Sequence, residues 1–172
     1  EAEGYSITLR DVVRAAYDAN IPMVAPMGND GLNKIKYPAA LDDVIAVGAT
    51  NNRDEWDEFS NYGDWIDLVA PGDDILNTAR NGNYAFYTGT SMAAPHVAGV
   101  LGLLHGIAPG LSIPERRKLI HLAADMPTTS PEEYERALEE YYGAGRLNAG
   151  ETIASALQTR IQDLVFTGPV TG

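Results

Sequence analysis

A run of small and apolar residues at positions 89–99 constrains the fold of this chain more than any other feature. It reads Gly-Thr-Ser-Met-Ala-Ala-Pro-His-Val-Ala-Gly and places Ser91 where a turn becomes a helix. Gly89 permits a sharp turn, and we expect Pro95 in the first helical turn, where amides lack an intrahelical partner. Free N–H groups and the dipole at this helix end can stabilise an oxyanion beside Ser91. The alternative interpretation is an ordinary N-cap serine.

A second polar segment precedes this run. Residues 24–31 read Val-Ala-Pro-Met-Gly-Asn-Asp-Gly, an apolar strand that ends in Gly-Asn. An amide side chain at a strand end can donate a hydrogen bond to a carbonyl oxygen as that oxygen becomes negative. Gly-Asn-Asp-Gly is by itself typical of a turn. Asn29 becomes a candidate oxyanion donor only in combination with Ser91.

Residues 89–99 resemble the nucleophile segment of the subtilisin-like serine proteases, and residues 24–31 resemble the oxyanion segment of that family. An α/β-hydrolase elbow would need a glycine where Ala93 stands. Further segments match the family in the same order, namely residues 37–39, 44–49, 59–63, 67–72 and 142–149. The resemblance therefore spans roughly residues 9–157.

The resemblance implies a serine endopeptidase that cleaves peptide bonds through an acyl-enzyme on Ser91. Asn29 and the Ser91 amide would form the oxyanion hole. The implied fold is a three-layer α/β fold with a mostly parallel sheet between helices, incomplete in this chain. We expect residues 1–157 to be the C-terminal part of the catalytic domain and residues 158–172 to be a tail or linker.

The other catalytic residues of the family have no counterpart in these residues. Neither an Asp-Thr-Gly or Asp-Ser-Gly strand end nor a His-Gly-Thr-His helix occurs, and the histidines are His96, His105 and His121. We expect His96 to be a buried structural residue and the other two to be structural or surface residues. A serine without a base is an ordinary alcohol. The isolated chain is therefore expected to be inactive, with the missing N-terminal part of the same domain as its partner.

A competing hypothesis remains open. The chain could be a non-catalytic pseudoprotease or scaffold fragment that binds a peptide or partner domains. Retention of both Ser91 and Asn29 favours the enzyme, because a scaffold could lose either residue without harm.

The resemblance also implies a substrate pocket. Met27 is bulkier than the residue usual in the family, and it either narrows the pocket or points into the core. Pro26 removes one hydrogen-bond donor from its strand, and the Tyr37–Pro38 bond is expected to be cis. The candidate substrate-binding residues are Ala25, Pro26, Met27, Gly28, Tyr37, Pro38, Ala39 and Thr90.

Composition excludes several classes of protein. The formal net charge of −12 and the sequence pI near 4.5 argue against a nucleic-acid partner. The chain contains no cysteine, and no apolar run is long enough to span a membrane. The implied chemistry requires no cofactor, although relatives often bind calcium. Asp67 is the candidate ligand, but one carboxylate is far from the six to eight oxygens that calcium prefers. The resemblance favours secretion.

Hydrophobic periodicity predicts alternating helices and strands. On the nucleophile helix, we expect Ala93, Ala94, Ala98 and Gly102 to form a small face against the sheet. The predicted helices are residues 8–20, 91–105, 112–124, 130–141 and 148–157; the strands are residues 21–27, 44–49 and 65–70, with a hairpin of residues 75–79 and 84–88.

Overall fold

The computed structural model describes residues 4–126 and 135–167, without the side chains of residues 135–137 and 160–167. One helix precedes five strands, and four helices follow them, so the elements do not alternate one by one as the sequence analysis predicted. In chain order the elements are α1 (Ile7–Asp18), β1 (Met23–Pro26), β2 (Val44–Thr50), β3 (Leu68–Pro71), β4 (Ile75–Thr78), a 3₁₀ turn (Arg80–Gly82), β5 (Tyr84–Tyr87), α2 (Thr90–Ile107), α3 (Ile113–Leu122), α4 (Glu135–Tyr142) and α5 (Ala149–Thr167).

Three parallel strands form the central sheet, in the order β1-β2-β3. Every residue of β2 is buried, as a nearly continuous apolar sequence predicts for a parallel strand with both faces covered. The strand β1 pairs with β2 along one side. Within the described residues, the other edge of β1 carries no strand.

The two faces of the sheet contact different helices because successive side chains of a strand point to opposite faces. Ile45 and Val47 pack with buried residues of α2, whereas Val44 and Ala46 pack with Val13 of α1. The sheet therefore lies between helical layers, which confirms the predicted three-layer α/β architecture.

A small antiparallel hairpin leads into α2. The strands β4 and β5 pair along their whole length, and Asn81 adopts a φ of 61° in the turn between them. Asn-Gly is a favoured hairpin sequence because both residues tolerate positive φ. The hairpin agrees with the sequence prediction and leads through Thr88 to the first residues of α2.

The start of α2 differs from the prediction. The helix begins at Thr90 with Gly89 as its N-cap, so Ser91 is its second residue and is not the N-cap. Pro95 is the sixth residue of the helix, beyond the first turn. Our explanation of Pro95 was therefore wrong. Proline here removes the amide that would bond to the carbonyl of Ser91, four residues earlier.

The small face of α2 is only partly buried. Ala93 and Ala94 pack against the sheet as predicted, but Ala98 and Gly102 are exposed. The spacing of the buried residues explains the difference, because Val97, Leu101 and Leu104 complete the stripe that begins at Ala93. The face that carries Ala98 and Gly102 borders an open groove.

The last helices begin where the sequence predicts. Ser112 and Glu115 form a capping box at the start of α3, and Asn148 accepts a hydrogen bond from the Glu151 amide at the start of α5. Residues 130–134 of the predicted fourth helix lie outside the described residues. The helix α5 continues to Thr167, so the predicted tail is helical over residues 158–167. None of the helices described could cross a lipid bilayer.

Candidate active site

Ser91 is exposed on the first turn of α2. The backbone amides of its two neighbours already donate hydrogen bonds. Thr90 N donates to Asn29 Oδ1, and Met92 N donates to the carbonyl of Gly89. Within the described residues, the Ser91 amide and hydroxyl have no hydrogen-bond partner. An exposed hydroxyl thus lies beside an unused N–H group at a helix N-terminus, where negative charge is stabilised.

The side chain of Asn29 is fixed against this turn. Its Oδ1 accepts hydrogen bonds from Thr90 N at 2.9 Å and from Thr90 Oγ1 at 2.8 Å. Thr90 Oγ1 in turn accepts a hydrogen bond from the Gly28 amide at 3.2 Å. Because the oxygen of the amide is fully used, its Nδ2 is the end left to donate. The structure thus joins the end of β1 to the residue beside Ser91.

Gly89 allows this close approach. It adopts a φ of 153°, a value that side chains of L-residues rarely permit. A Cβ atom at this position would lie 3.3 Å from Nδ2 of Asn29. A larger residue would therefore strain the turn and crowd the amide that it presents.

Asn61 supports the loop that carries Asn29, and sequence reasoning assigned it no role. It is fully buried, its Oδ1 accepts from the amides of Asp30 and Leu32, and its Nδ2 donates to the carbonyl of Met27. A buried asparagine that satisfies three backbone groups fixes the loop around it. Its place in the matched segment 59–63 was the only signal in the sequence.

Comparisons with known proteins agree with this geometry. The model of the subtilase family matches residues 3–145. The chain belongs to the subtilase family. It is 43% identical over 121 residues to a thermophilic serine proteinase of Bacillus sp. (strain AK1), covering 70% of this chain and 30% of that protein. It is 37% identical over 145 residues to subtilisin BL of Lederbergia lenta, covering 84% of this chain and 50% of that protein.

A solved protease structure has a similar fold. The structure of the prenylagaramide maturation protease PagA superposes with a TM-score of 0.76 at 29% identity, covering 91% of this chain and 57% of PagA. This likeness confirms the predicted subtilisin-like fold. The chain thus spans between about a third and somewhat more than half of these relatives.

The three histidines of this subtilase chain all contact groups other than Ser91. The Nδ1 of His96 lies 2.9 Å from the carbonyl of Met92, that of His105 lies 3.3 Å from Nη2 of Arg116, and Nε2 of His121 lies 2.9 Å from Asp67. His96 is exposed, so the prediction that it is buried was wrong. Its face of α2 is not covered by described residues.

Four of the residues proposed to form the wall of the substrate pocket are instead buried in the interior, namely Ala25, Met27, Gly28 and Ala39. Met27 is fully buried with Ala25 and Ala39 in the cluster on the α1 side of the sheet. This corrects the hypothesis that the Met27 side chain narrows the pocket, because the alternation along β1 turns it inward. Gly28 is also buried, and its amide bonds to Thr90.

The remaining candidates for that wall lie nearer the surface. Pro26, Tyr37 and Pro38 are half-buried, and the Tyr37–Pro38 bond is cis, as the sequence predicted. Their contact with a substrate stays a prediction. Thr90 is fully buried, so its side chain positions Asn29 and is not a substrate contact, which corrects that assignment.

Asp67 is engaged by basic side chains. Its carboxylate accepts hydrogen bonds from Arg117 Nε at 2.5 Å and Nη2 at 2.8 Å, and from the Ala46 amide at 2.8 Å. Burial alone would raise the pKa of Asp67, but His121 and Arg117 hold that pKa below its usual value. A guanidinium at this carboxylate disfavours a calcium ion. The residues described include no group of three side chains able to hold a metal.

Proposed function

We propose that this subtilase chain is the nucleophile-bearing part of a serine endopeptidase that cleaves peptide bonds through an acyl-enzyme on Ser91. One observation carries the proposal. The exposed Ser91 hydroxyl lies beside its own unused amide and on the turn where Thr90 fixes the Asn29 amide. Two N–H donors at the position where negative charge develops are what acyl transfer requires.

The proposed chemistry follows from these groups. Ser91 Oγ attacks the carbonyl carbon of the scissile bond as its proton passes to a base. The carbonyl oxygen becomes an oxyanion that accepts hydrogen bonds from the Ser91 amide and from Asn29 Nδ2. Collapse of this intermediate expels the amine, which takes up the proton, and leaves the acyl-enzyme. Water then hydrolyses the ester by the same steps.

The base is proposed to come from outside this chain. Each of its histidines contacts a group other than Ser91. An N-terminal part of the catalytic domain would supply the histidine and the aspartate that orients it. The unpaired edge of β1 offers that part a place to continue the parallel sheet, because an unpaired edge presents free backbone N–H and C=O groups.

Two further properties belong to this proposal. Secretion and calcium binding by the complete domain are both proposed from the family resemblance alone. The catalytic steps above use only protein groups. Neither property affects the assignment of Ser91.

Reaction with a biotinylated fluorophosphonate tests the proposal. The complete catalytic domain, encoded by this sequence and its upstream coding sequence, should be labelled at Ser91, as located by peptide mass mapping. The matched control is Ser91→Ala in the same domain, which should not be labelled. A domain that folds, binds peptide and yet fails to react would instead support the pseudoprotease or scaffold hypothesis.

A further inference from the structure

Arg116 is buried without a counter-ion. Its side chain is 2% exposed, yet its contacts are with uncharged acceptors, namely the carbonyl of Pro109 at 3.1 Å and Nδ1 of His105 at 3.3 Å. Its Nε has no hydrogen-bond partner. Among the side chains that the structure describes, no carboxylate forms an ion pair with it.

Burial of a guanidinium without a counter-ion is energetically unfavourable. A guanidinium stays charged at any pH that a protein survives, so it cannot escape the cost of burial by losing its proton. Buried charges are therefore paired in most proteins. The neighbouring Arg117 shows the usual solution, because its guanidinium binds both oxygens of Asp67. Arg116 lacks the corresponding partner.

Arg116 also lines an open groove. The groove has a volume of about 360 Å³ and lies between β1 and the exposed small face of α2. Besides Arg116, its polar lining is Asn20 and His105, and apolar residues form the rest, among them Val24, Ala98 and Gly102. Asn20 already donates its amide to the carbonyl of Leu111. The buried guanidinium thus lies in the wall of an apolar groove beside the unpaired edge of β1.

We propose that this groove is a carboxylate-binding site, in which Arg116 pairs with an aspartate or glutamate of the polypeptide segment that packs between β1 and α2. The proposal rests on the proposed completion of the domain by an N-terminal part. The curated relatives extend well beyond the region that this chain matches, so polypeptide to fill the groove exists in the family. An Arg fork binds a carboxylate through two parallel hydrogen bonds, which would fix the register of the incoming segment.

Zero-length cross-linking tests the source of the carboxylate. The complete domain carries Ser91→Ala, so the result does not depend on catalysis, together with Arg116→Lys, which places an amine in the groove. A water-soluble carbodiimide then joins the amine to a neighbouring carboxylate. We expect a cross-linked peptide that connects residue 116 to an acidic residue outside these 172 residues. A control with Arg80→Lys, at an exposed arginine of the hairpin, should not give that peptide.

A cross-link from residue 116 to an acidic residue within the 172-residue chain would overturn the proposal. Failure of fluorophosphonate labelling in the parent domain would instead overturn the proposed function. The two failures are thus distinguishable.

Urea unfolding of Arg116→Met gives an independent measurement. It is made in a His105→Asn background, which removes the imidazole that contacts the guanidinium. We expect Arg116→Met to lower the urea midpoint at about pH 6 and to lower it less at about pH 3, because the contribution of a carboxylate paired with Arg116 declines as pH falls from the unfolded pKa, near 4, through a lower folded pKa. A midpoint difference that is the same at both pH values would mean that no carboxylate pairs with Arg116, and would overturn the proposal whatever the cross-link shows.

Discussion

Thr90 fixes the orientation of the Asn29 amide, the proposed oxyanion donor. Its backbone N–H and its hydroxyl both bond to Oδ1, and a reversed amide would place its NH₂ group against two donors. The chain therefore fixes the orientation of the donor before substrate binds. Preorganisation of this kind is what makes a hydrogen bond effective in the transition state.

Removal of the Asn29 amide should slow catalysis without weakening substrate binding. In the complete domain we expect Asn29→Ala to lower kcat by about 10²–10³-fold with little change in KM, a magnitude taken from the corresponding donor of subtilisin itself. Steady-state hydrolysis of a peptide anilide measures both constants. Asn52→Ala, at an exposed asparagine, is the matched control. A rise in KM at unchanged kcat would place Asn29 in ground-state binding instead.

Thr90→Val should have a smaller effect of the same kind. The substitution keeps the shape of the side chain and the backbone bond to Asn29, but removes the hydroxyl that links Asn29 to Gly28. Of the two hydrogen bonds lost, the one to Asn29 Oδ1 orients the amide, and its loss, worth about 1 kcal/mol, predicts a loss of about fivefold in kcat. Thr90→Ser retains the hydroxyl and should restore most of the rate. Equal rates for the valine variant and the parent would show that the hydroxyl does not position Asn29.

Asp67 should contribute stability that depends on pH. Its pKa is below the usual value in the folded state, so its contribution is present above the unfolded pKa, near 4, and is lost as pH falls through the folded pKa. Because Arg117 is about one-third exposed and can be solvated when its partner is lost, Asp67→Asn should cost less at pH 7 than the about 3–5 kcal/mol of a fully buried pair. Urea unfolding of the complete domain from pH 7 to pH 2 measures the difference, which should shrink in acid. Asp18→Asn, in an exposed pair with Arg14, should change stability by less than 1 kcal/mol.

At the scale of elements, α3 brings two arginines to different environments. Arg116 faces the groove beside α2 and Arg117 reaches Asp67 beside β3, since adjacent positions on a helix point in different directions. The capping box at Ser112 starts this helix. Both arginine positions therefore depend on where the helix begins.

Loss of that cap should destabilise α3 without altering the Asp67 pair. We expect Ser112→Ala to lower the free energy of unfolding of the complete domain by about 1 kcal/mol, within the range of about 0.5–2 kcal/mol typical of N-caps. Chemical denaturation measures the change, and Ser112→Thr should retain most of the stability. If Ser112→Ala also removed the acid dependence assigned to Asp67, the two features would not be independent.

The sequence predicted the type and order of the elements better than their ends. The strand β2 was predicted within one residue because continuous apolar sequence marks a strand buried on both faces. The start of α2 was also predicted within one residue, but the N-cap is Gly89, and Pro95 lies beyond the first turn, where it was expected. The exposure of Ala98 and His96 was missed because burial on a helix depends on which neighbours are present, and periodicity alone does not report them.

The sequence predicted those residues of the candidate site that lie within a recognisable motif. Ser91 and Asn29 came from sequence matches, but the bonds that join them through Thr90 depend on contacts between residues distant in the chain. Asn61 and the pairing of Asp67 with Arg117 and His121 are likewise long-range contacts. No local pattern marks such pairs, because their partners come together only when the sheet forms.

At the scale of the whole molecule, the described residues leave the outer edge of β1 without a partner strand, and none of their histidines contacts Ser91. The chain covers 30% of the thermophilic serine proteinase and 50% of subtilisin BL. A parallel sheet is stable when other parts of the protein cover both of its faces. If an N-terminal part completes the domain as proposed, the activity of Ser91 and the stability of the chain should depend on the same polypeptide.

The isolated chain, residues 1–172, should not react appreciably with a fluorophosphonate although Ser91 is exposed. Without the histidine the serine hydroxyl is not activated, and a triad that lacks one member retains only about 10³–10⁴-fold over the uncatalysed rate, a magnitude taken from serine proteases that include subtilisin. Addition of the separately expressed N-terminal part should restore labelling at Ser91, with circular dichroism reporting folding in parallel. Labelling of the isolated chain that Ser91→Ala abolishes would show that a base lies within these residues. In that case His105→Asn and His121→Asn would identify it, since a histidine that acts as the base cannot be replaced by an amide without loss of the reaction.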